Sequence, residues 1–200
     1  MQKAGILHIQ RGFTLVEMMV TIAVLVILAS IAVPGLQAFT TRSGMNAIRD
    51  DFSIALQRAR LDAISRNTCV SICQLASGST NTCAGAADNP GQWHQGWIVF
   101  VNGACAGAVP ATAIAGGDLI AVRQPGDPRF QLSHDGGNPP RIATFDPRGA
   151  LVGPSFTVNA TDAKDDESPL ARDITVTFQG RVAVLLPDEE DDDAATAQAE

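Results

Sequence analysis

The chain has 200 residues, 46% of them hydrophobic, and a formal charge of −7 at neutral pH. That length accommodates one membrane-length helix and one domain with a single core. Seven of its 21 acids fall between Asp188 and Glu200, which leaves the body before them close to neutral; such a body argues against nucleic-acid binding driven by phosphate neutralisation, which needs clustered Lys and Arg.

Residues 1–12 carry Lys3 and Arg11 and no acid, a flank that favours a cytoplasmic N-terminus. They lack the long apolar core and the small-residue cleavage site of a secretory signal peptide, so they read as a processing segment outside the fold. From Phe13 to Val33 the chain runs 21 residues with Glu17 as its only charge. A helix of that length reaches about 31 Å, the hydrocarbon thickness of a bilayer. The reading is an N-terminal membrane anchor, and with a cytoplasmic leader everything after Val33 is periplasmic or extracellular. Glu17 costs about 2.5–3.5 kcal/mol inside such a span unless it is protonated, reaches the interface or meets a cation on a neighbouring helix. Pro34-Gly35 then removes a backbone donor and loosens the chain. Because a helical pattern resumes beyond it, Pro34 is expected to be a kink or a local unwinding site, not a helix end.

Over residues 39–66, Met45, Ile48, Phe52, Leu56 (with Ala55), Ala59 and Ala63 recur at three- and four-residue steps and form one apolar stripe. Asp50, Asp51 and Asp62 are interspersed with Arg42, Arg49, Arg58 and Arg60, so the opposite side reads as solvated or subunit-facing. From Asn67 the period changes to two. Strands are expected at Thr68–Leu75, Gly96–Val101, Leu119–Arg123, Arg129–His134, Arg141–Phe145 and Phe156–Asn159, with a short one near Val109–Ile114. Ile174–Phe178 and Arg181–Leu185 flank Gln179-Gly180 at hairpin spacing. Ala160–Pro169, with four acids, reads as a solvated loop, and the acidic, Ala-rich chain after Pro187 as disordered. The divisions are therefore 1–12 leader, 13–38 anchor helix, 39–66 amphipathic helix, 67–187 β-rich domain and 188–200 tail. The fold class is α+β: a long helix packed on antiparallel sheet.

Cys69, Cys73, Cys83 and Cys105 all lie beyond the anchor, where disulfides persist. Four cysteines permit three pairings, and the spacing C-x3-C-x9-C-x21-C is a poor zinc pattern. Trp97 and Phe100, in an apolar strand, read as core rather than as a ligand platform. Neither His94 nor His134 sits in a metal or nucleophile motif, and His134-Asp135-Gly136-Gly137 reads as a turn. No nucleophile elbow, zinc-protease signature or phosphate-binding loop occurs. No catalytic residue, metal or cofactor is expected.

Gly12-Phe13-Thr14-Leu15-Val16-Glu17-Met18 behind a short basic leader resembles the type IV prepilin signal. That resemblance implies cleavage after Gly12 by a prepilin peptidase and N-methylation of Phe13. It also implies pairing of Glu17 with an N-terminal amine in the filament and a bend or melting site at Pro34. Ile64-Ser65-Arg66-Asn67, Val70-Ser71-Ile72-Cys73, Gln95-Gly96-Trp97-Ile98-Val99-Phe100, Phe145-Asp146-Pro147-Arg148-Gly149 and Gln179-Gly180-Arg181-Val182 look like the FimT/FimU and GspH group. These are minor pilins of type IV pili and minor pseudopilins of type II secretion, and the resemblance spans about residues 7–186. It implies a structural subunit that primes filament assembly, with other minor and major pilins or pseudopilins and the inner-membrane assembly platform as partners. It also supports a Cys73–Cys83 bridge closing the Ser/Gly-rich loop, with Cys69–Cys105 as its companion. Some members of the group bind DNA through Gly-Arg-x-Arg. Here Gly180-Arg181-Val182-Ala183 lacks the second arginine, so DNA is not an expected partner and Arg181 reads by default as a hairpin-end residue.

Overall fold

A computed structural model describes residues 13–85, 88–134, 140–164 and 169–186. The expectations for the leader with Gly12, for the turn at 135–137, for the acids at 165–167 and for the tail lie outside the described residues. The chain divides into two compact units, Met1–Thr41 and Arg42–Glu200. One helix, α1 (Leu15–Arg66), belongs to both. Its helical assignment continues through residue 34, so the backbone is not unwound at Pro34; what proline removes there is one N–H donor, and helical bonding is intact on both sides. Asn67 ends the helix in a left-handed conformation (φ 49°), with Thr68 N–H on Ala63 O and Asn67 N–H on Ile64 O. This is a Schellman arrangement that occupies the last carbonyls.

Eight strands follow: β1 (Val70–Gln74), β2 (Trp97–Val101), β3 (Leu119–Arg123), β4 (Phe130–Ser133), β5 (Ile142–Phe145), β6 (Phe156–Asp162), β7 (Arg172–Val176) and β8 (Val182–Leu185). They form two four-stranded antiparallel sheets, ordered β3-β2-β1-β5 and β4-β6-β7-β8. The stripe of α1 meets the inner faces of both. Met45, Ile48, Phe52, Leu56, Ala59 and Ala63 are all buried in one core with Val70, Ile72, Trp97, Val99, Phe145, Val158, Ile174 and Val176. Phe52 sits at its centre, 5.1 Å from the rings of both Trp93 and Trp97. The polar side of this part of α1 is neutralised locally: Arg49 pairs with Asp50, Arg58 and Arg66 with Asp62, and Arg123 of β3 with Asp51.

The inner strands of the first sheet, β1 and β2, are buried on both faces, whereas β3 at its edge is half-buried. Cys73, Ile98 and Phe100 point away from α1 into a second cluster with Leu75, Cys83 and Ile114, which is why β2 reads as an unbroken apolar run. The cover on this face is irregular chain. Cys83 of one loop bonds Cys73, and Cys105 of the other bonds Cys69. Between the two cysteines Ser71 takes Thr144 Oγ1 at 2.7 Å and Asn102 Nδ2 at 2.9 Å. Closing loops of these lengths (sequence separations 10 and 36) stabilises by roughly 3 and roughly 4 kcal/mol in the chain-entropy account.

Three expectations need correction. Residues 109–114 form no strand; Ile114 instead donates its N–H to Asn81 O and fills the second cluster. The loop expected from Ala160 begins later, because β6 runs to Asp162 and pairs with β4 as far as Phe130↔Asp162. Asp162 is therefore not solvated: its side chain is 1% exposed. Finally, the β7–β8 turn has three residues, not two. Thr177 and Arg181 still bond, Gly180 N–H returns to Thr177 O, and Gly180 is left-handed (φ 75°). This is the three-residue hairpin with a glycine in the bulge position.

Asp162 accepts Arg129 Nε at 2.9 Å, Arg129 Nη2 at 2.6 Å and Lys164 N–H at 3.0 Å. The Arg129 hydrogen bonds hold its carboxyl below the usual carboxylate range against the opposing effect of burial, with Lys164 N–H assisting. A lowered folded pKa stabilises above the unfolded value, about 3.9, and that contribution is lost as pH falls through the folded value. Asp162→Asn should lower the unfolding midpoint at pH 7 and flatten the loss of stability below about pH 4; thermal melts at stepped pH read both.

Candidate functional site

Two sets of residues carry the functional reading. The first is the start of α1. Phe13 precedes the helix and is 77% exposed, and from Leu15 to Val33 the large apolar side chains stand exposed on every side. The helix contains an 18-residue window of mean hydropathy 2.6, with none of it buried, and is long and apolar enough to cross a membrane by length and composition. Thr14 caps it: Thr14 Oγ1 accepts Glu17 N–H at 3.2 Å. Glu17 thus occupies the third position of the first turn, where free N–H groups and the helix dipole favour negative charge. Its carboxylate is exposed and has no partner among the described residues. The Thr14-x-x-Glu17 spacing is a capping-box signature that the sequence reading did not use.

The second set joins the turns that carried the family resemblance. Arg60 of α1 donates Nε to Gly149 O at 2.9 Å and Nη2 to Gln179 O at 3.4 Å. One guanidinium therefore ties the helix to the end of β5 and to the β7–β8 hairpin, one turn from each sheet. Gly149 and Gly180 are both left-handed, and a Cβ on Gly180 would collide with Gly149 O. Asp146 organises its own turn by accepting Arg148 and Ala150 N–H groups at 2.8 and 2.9 Å. Burial pushes its pKa up, and these N–H donors together with the Arg148 guanidinium outweigh that and leave it lowered. Trp97 and Phe100 are buried on opposite faces of β2. Trp93 was not foreseen; it occupies a single 3-10 turn, Trp93–Gln95, and is fully buried against Phe52.

Arg181 lies just past Gly180 and is exposed, with its N–H on Thr177 Oγ1 and no side-chain partner among the described residues. It stands away from Phe13, Glu17 and Pro34 in sequence and in compact unit. Half-buried His94 contacts Leu132 O at 3.4 Å and has its pKa lowered chiefly by burial. Among the described residues, no group of three or more His, Cys, Asp or Glu could hold a metal ion.

An exposed apolar amino-terminal helix that continues into an α+β head with two antiparallel sheets is the architecture of a pilin-type subunit. The chain matches the family described as type II transport protein GspH over residues 50–180, and the prokaryotic N-terminal methylation motif over residues 7–33. It belongs to the GspH family, within the wider class of type IV minor pilins and type II pseudopilins; subunits of this kind are in general structural. A crystal structure of the Pseudomonas aeruginosa type IV minor pilin FimU shares its fold, with a TM-score of 0.52 at 20% identity over 74% of this chain and 92% of that one. Prepilin peptidase-dependent protein D of Escherichia coli (strain K12) is 30% identical over 79 residues, which cover 40% of this chain and 47% of that protein. Type IV major fimbrial protein FimA of Dichelobacter nodosus is 33% identical over 93 residues, 42% of this chain and 58% of that one. The chain thus spans about half the length of these curated relatives.

The Gly149–Gly180 contact gives a test of the Arg60 junction. Gly180→Ala forces a side chain into a left-handed residue, which alone costs about 1–2 kcal/mol, and adds the collision with Gly149 O. Chemical denaturation should show a loss at least that large, with both disulfides intact.

Proposed function

We propose that the chain is a minor pilin, a structural subunit that helps prime assembly of a type IV pilus. A membrane-embedded prepilin peptidase cleaves after Gly12 and the new N-terminus, Phe13, is methylated. The subunit waits in the inner membrane with its head in the periplasm and is then drawn through the assembly platform into a filament with other minor and major pilins. The observation that carries this reading is the pairing of a fully exposed apolar helix with one acid near its start. In a filament the carboxylate of Glu17 meets the amine of a neighbouring subunit, which compensates two charges that apolar surroundings would otherwise penalise. Pro34 lies where a missing N–H lowers the cost of local bending during packing.

The GspH family match favours a second reading on the same physics, a minor pseudopilin of a type II secretion system. The fold likeness to FimU and the FimA similarity weigh toward the pilus. A deletion strain separates the two: loss of surface pili and twitching supports the first, and secreted enzymes retained in the periplasm support the second.

Mass analysis of the N-terminus of protein isolated from envelopes should find a chain beginning at methylated Phe13. A chain that still begins at Met1 would refute the processing step. Glu17→Ala should leave cleavage unchanged but cut recovery of the subunit in sheared filaments several-fold, as immunoblots of both fractions would register. Normal incorporation of that variant would remove the role given to the carboxylate.

A further inference from the structure

The open edge of β8 and the cleft beside it combine exposed apolar side chains with basic residues. β8 is the outer strand of its sheet, so one row of its backbone groups faces no neighbouring strand. Val182 packs on the core, while Val184, on the same face, is 41% exposed, and Leu186 is 46% exposed. Where the described chain ends, Arg49 of α1 and Arg172 of β7 line a cleft of about 490 Å³ with Asp50, Val184, Leu185 and Leu186. Arg49 holds Asp50 at 2.8 Å. Arg172 donates to the carbonyls of Pro169 and Ala171 and has no carboxylate partner among the described residues. At the hairpin end lie Arg60, on Gln179 O, and Arg148, whose side chain is 90% exposed beside Asp146. From Arg49 to Arg60 along the helix is about 16 Å, and from Arg181 to Leu186 along β8 about 17 Å, so basic residues stand at both ends of the open edge of β8.

The sequence beyond Leu186 supplies a segment of matching length and opposite charge. Pro187 is followed by six consecutive acids, Asp188-Glu189-Glu190-Asp191-Asp192-Asp193, which extended cover about 20 Å. A reversal at Pro187 would send them back along β8. We propose that Asp188–Asp193 dock in cis along this edge of β8, with the first carboxylates in the cleft on Arg49 and Arg172 and the last reaching Arg60 and Arg148. The acidic run then covers the open edge of β8 together with Val184 and Leu186. Charge on an edge strand is a known guard against pairing with another chain; here the guard is a segment that salt can release.

Amide hydrogen exchange on the full chain in detergent micelles tests this. Amides of residues 182–186 should exchange several-fold faster in a chain ended after Leu186, while those of β1 and β2 stay unchanged. The full chain should show the same acceleration at about 0.5 M NaCl, where the screening length falls to about 4 Å. Arg172→Glu should have the same effect, and combining it with Asp188→Lys and Glu189→Lys should restore protection. Equal exchange with and without the tail, or a charge swap that restores nothing, overturns the proposal. Protection that rises with protein concentration places the acids on a neighbouring copy's β8 edge and overturns the cis arrangement.

Discussion

One helix carries two apolar patterns, and the rest of the molecule follows from that change. Residues 13–33 are apolar all round, a composition that suits hydrocarbon or a bundle of similar helices but not water. Beyond Thr41 the buried apolar residues form a single stripe, Met45 through Ala63, and two sheets close over it, while Ile54, Leu61 and Ile64 stay exposed. Ala59 and Ala63 are the small members of that stripe, and large ones (Phe52, Leu56) precede them. Small residues near the helix end let Arg60 and Ile64 lie close to the Gly149 and Gly180 turns. The helix is therefore the element against which both sheets find their positions.

The Arg60 junction shows how the two sheets stay together at their turn end. A guanidinium has donors fixed in one plane, which suits it to bridge two carbonyl groups. Here the carbonyls belong to two turns that lie 30 residues apart in sequence, at Gly149 and Gln179. Leu151 N–H on Phe178 O adds a direct backbone bond between the same turns. In these segments the choice of Asp146, Gly149 and Gly180 is thus explained by backbone geometry.

How much of this could be read in the sequence depends on how local the signal is. The helix stripe was legible because the 3.6-residue period repeats over many turns; every position chosen for it is buried except Ala55, which is half-buried and packs against the same core. The alternation in β1 was legible for the same reason, and it put Cys69, Ser71 and Cys73 on one face, the face the disulfide-bound loops cover. Asp162 was misplaced because an acid near other acids resembles a solvated loop; only the fold brings Arg129, 33 positions away, to neutralise it. Trp93 had no periodic context, since its 3-10 turn is a single turn between loops. The hairpin was recognised but shortened by one residue, because Gln179-Gly180 fits a two-residue turn equally well until the Thr177–Arg181 bond is known. For the apolar start of α1, charge and length were enough, whereas the role of Thr14 required the cap itself.

That cap bears on why the acid lies where it does. A carboxylate midway along an apolar helix would be far from any counter-charge except one on another helix at the same depth. At the third position of the first turn, Glu17 already lies in the positive end of the helix dipole, and its own N–H is satisfied by Thr14 Oγ1. The dipole offsets part of the cost of the charge, typically a few tenths to one kcal/mol, which is less than the cost of holding an unpaired carboxylate in hydrocarbon. An unpaired carboxylate there therefore still gains if a cation approaches.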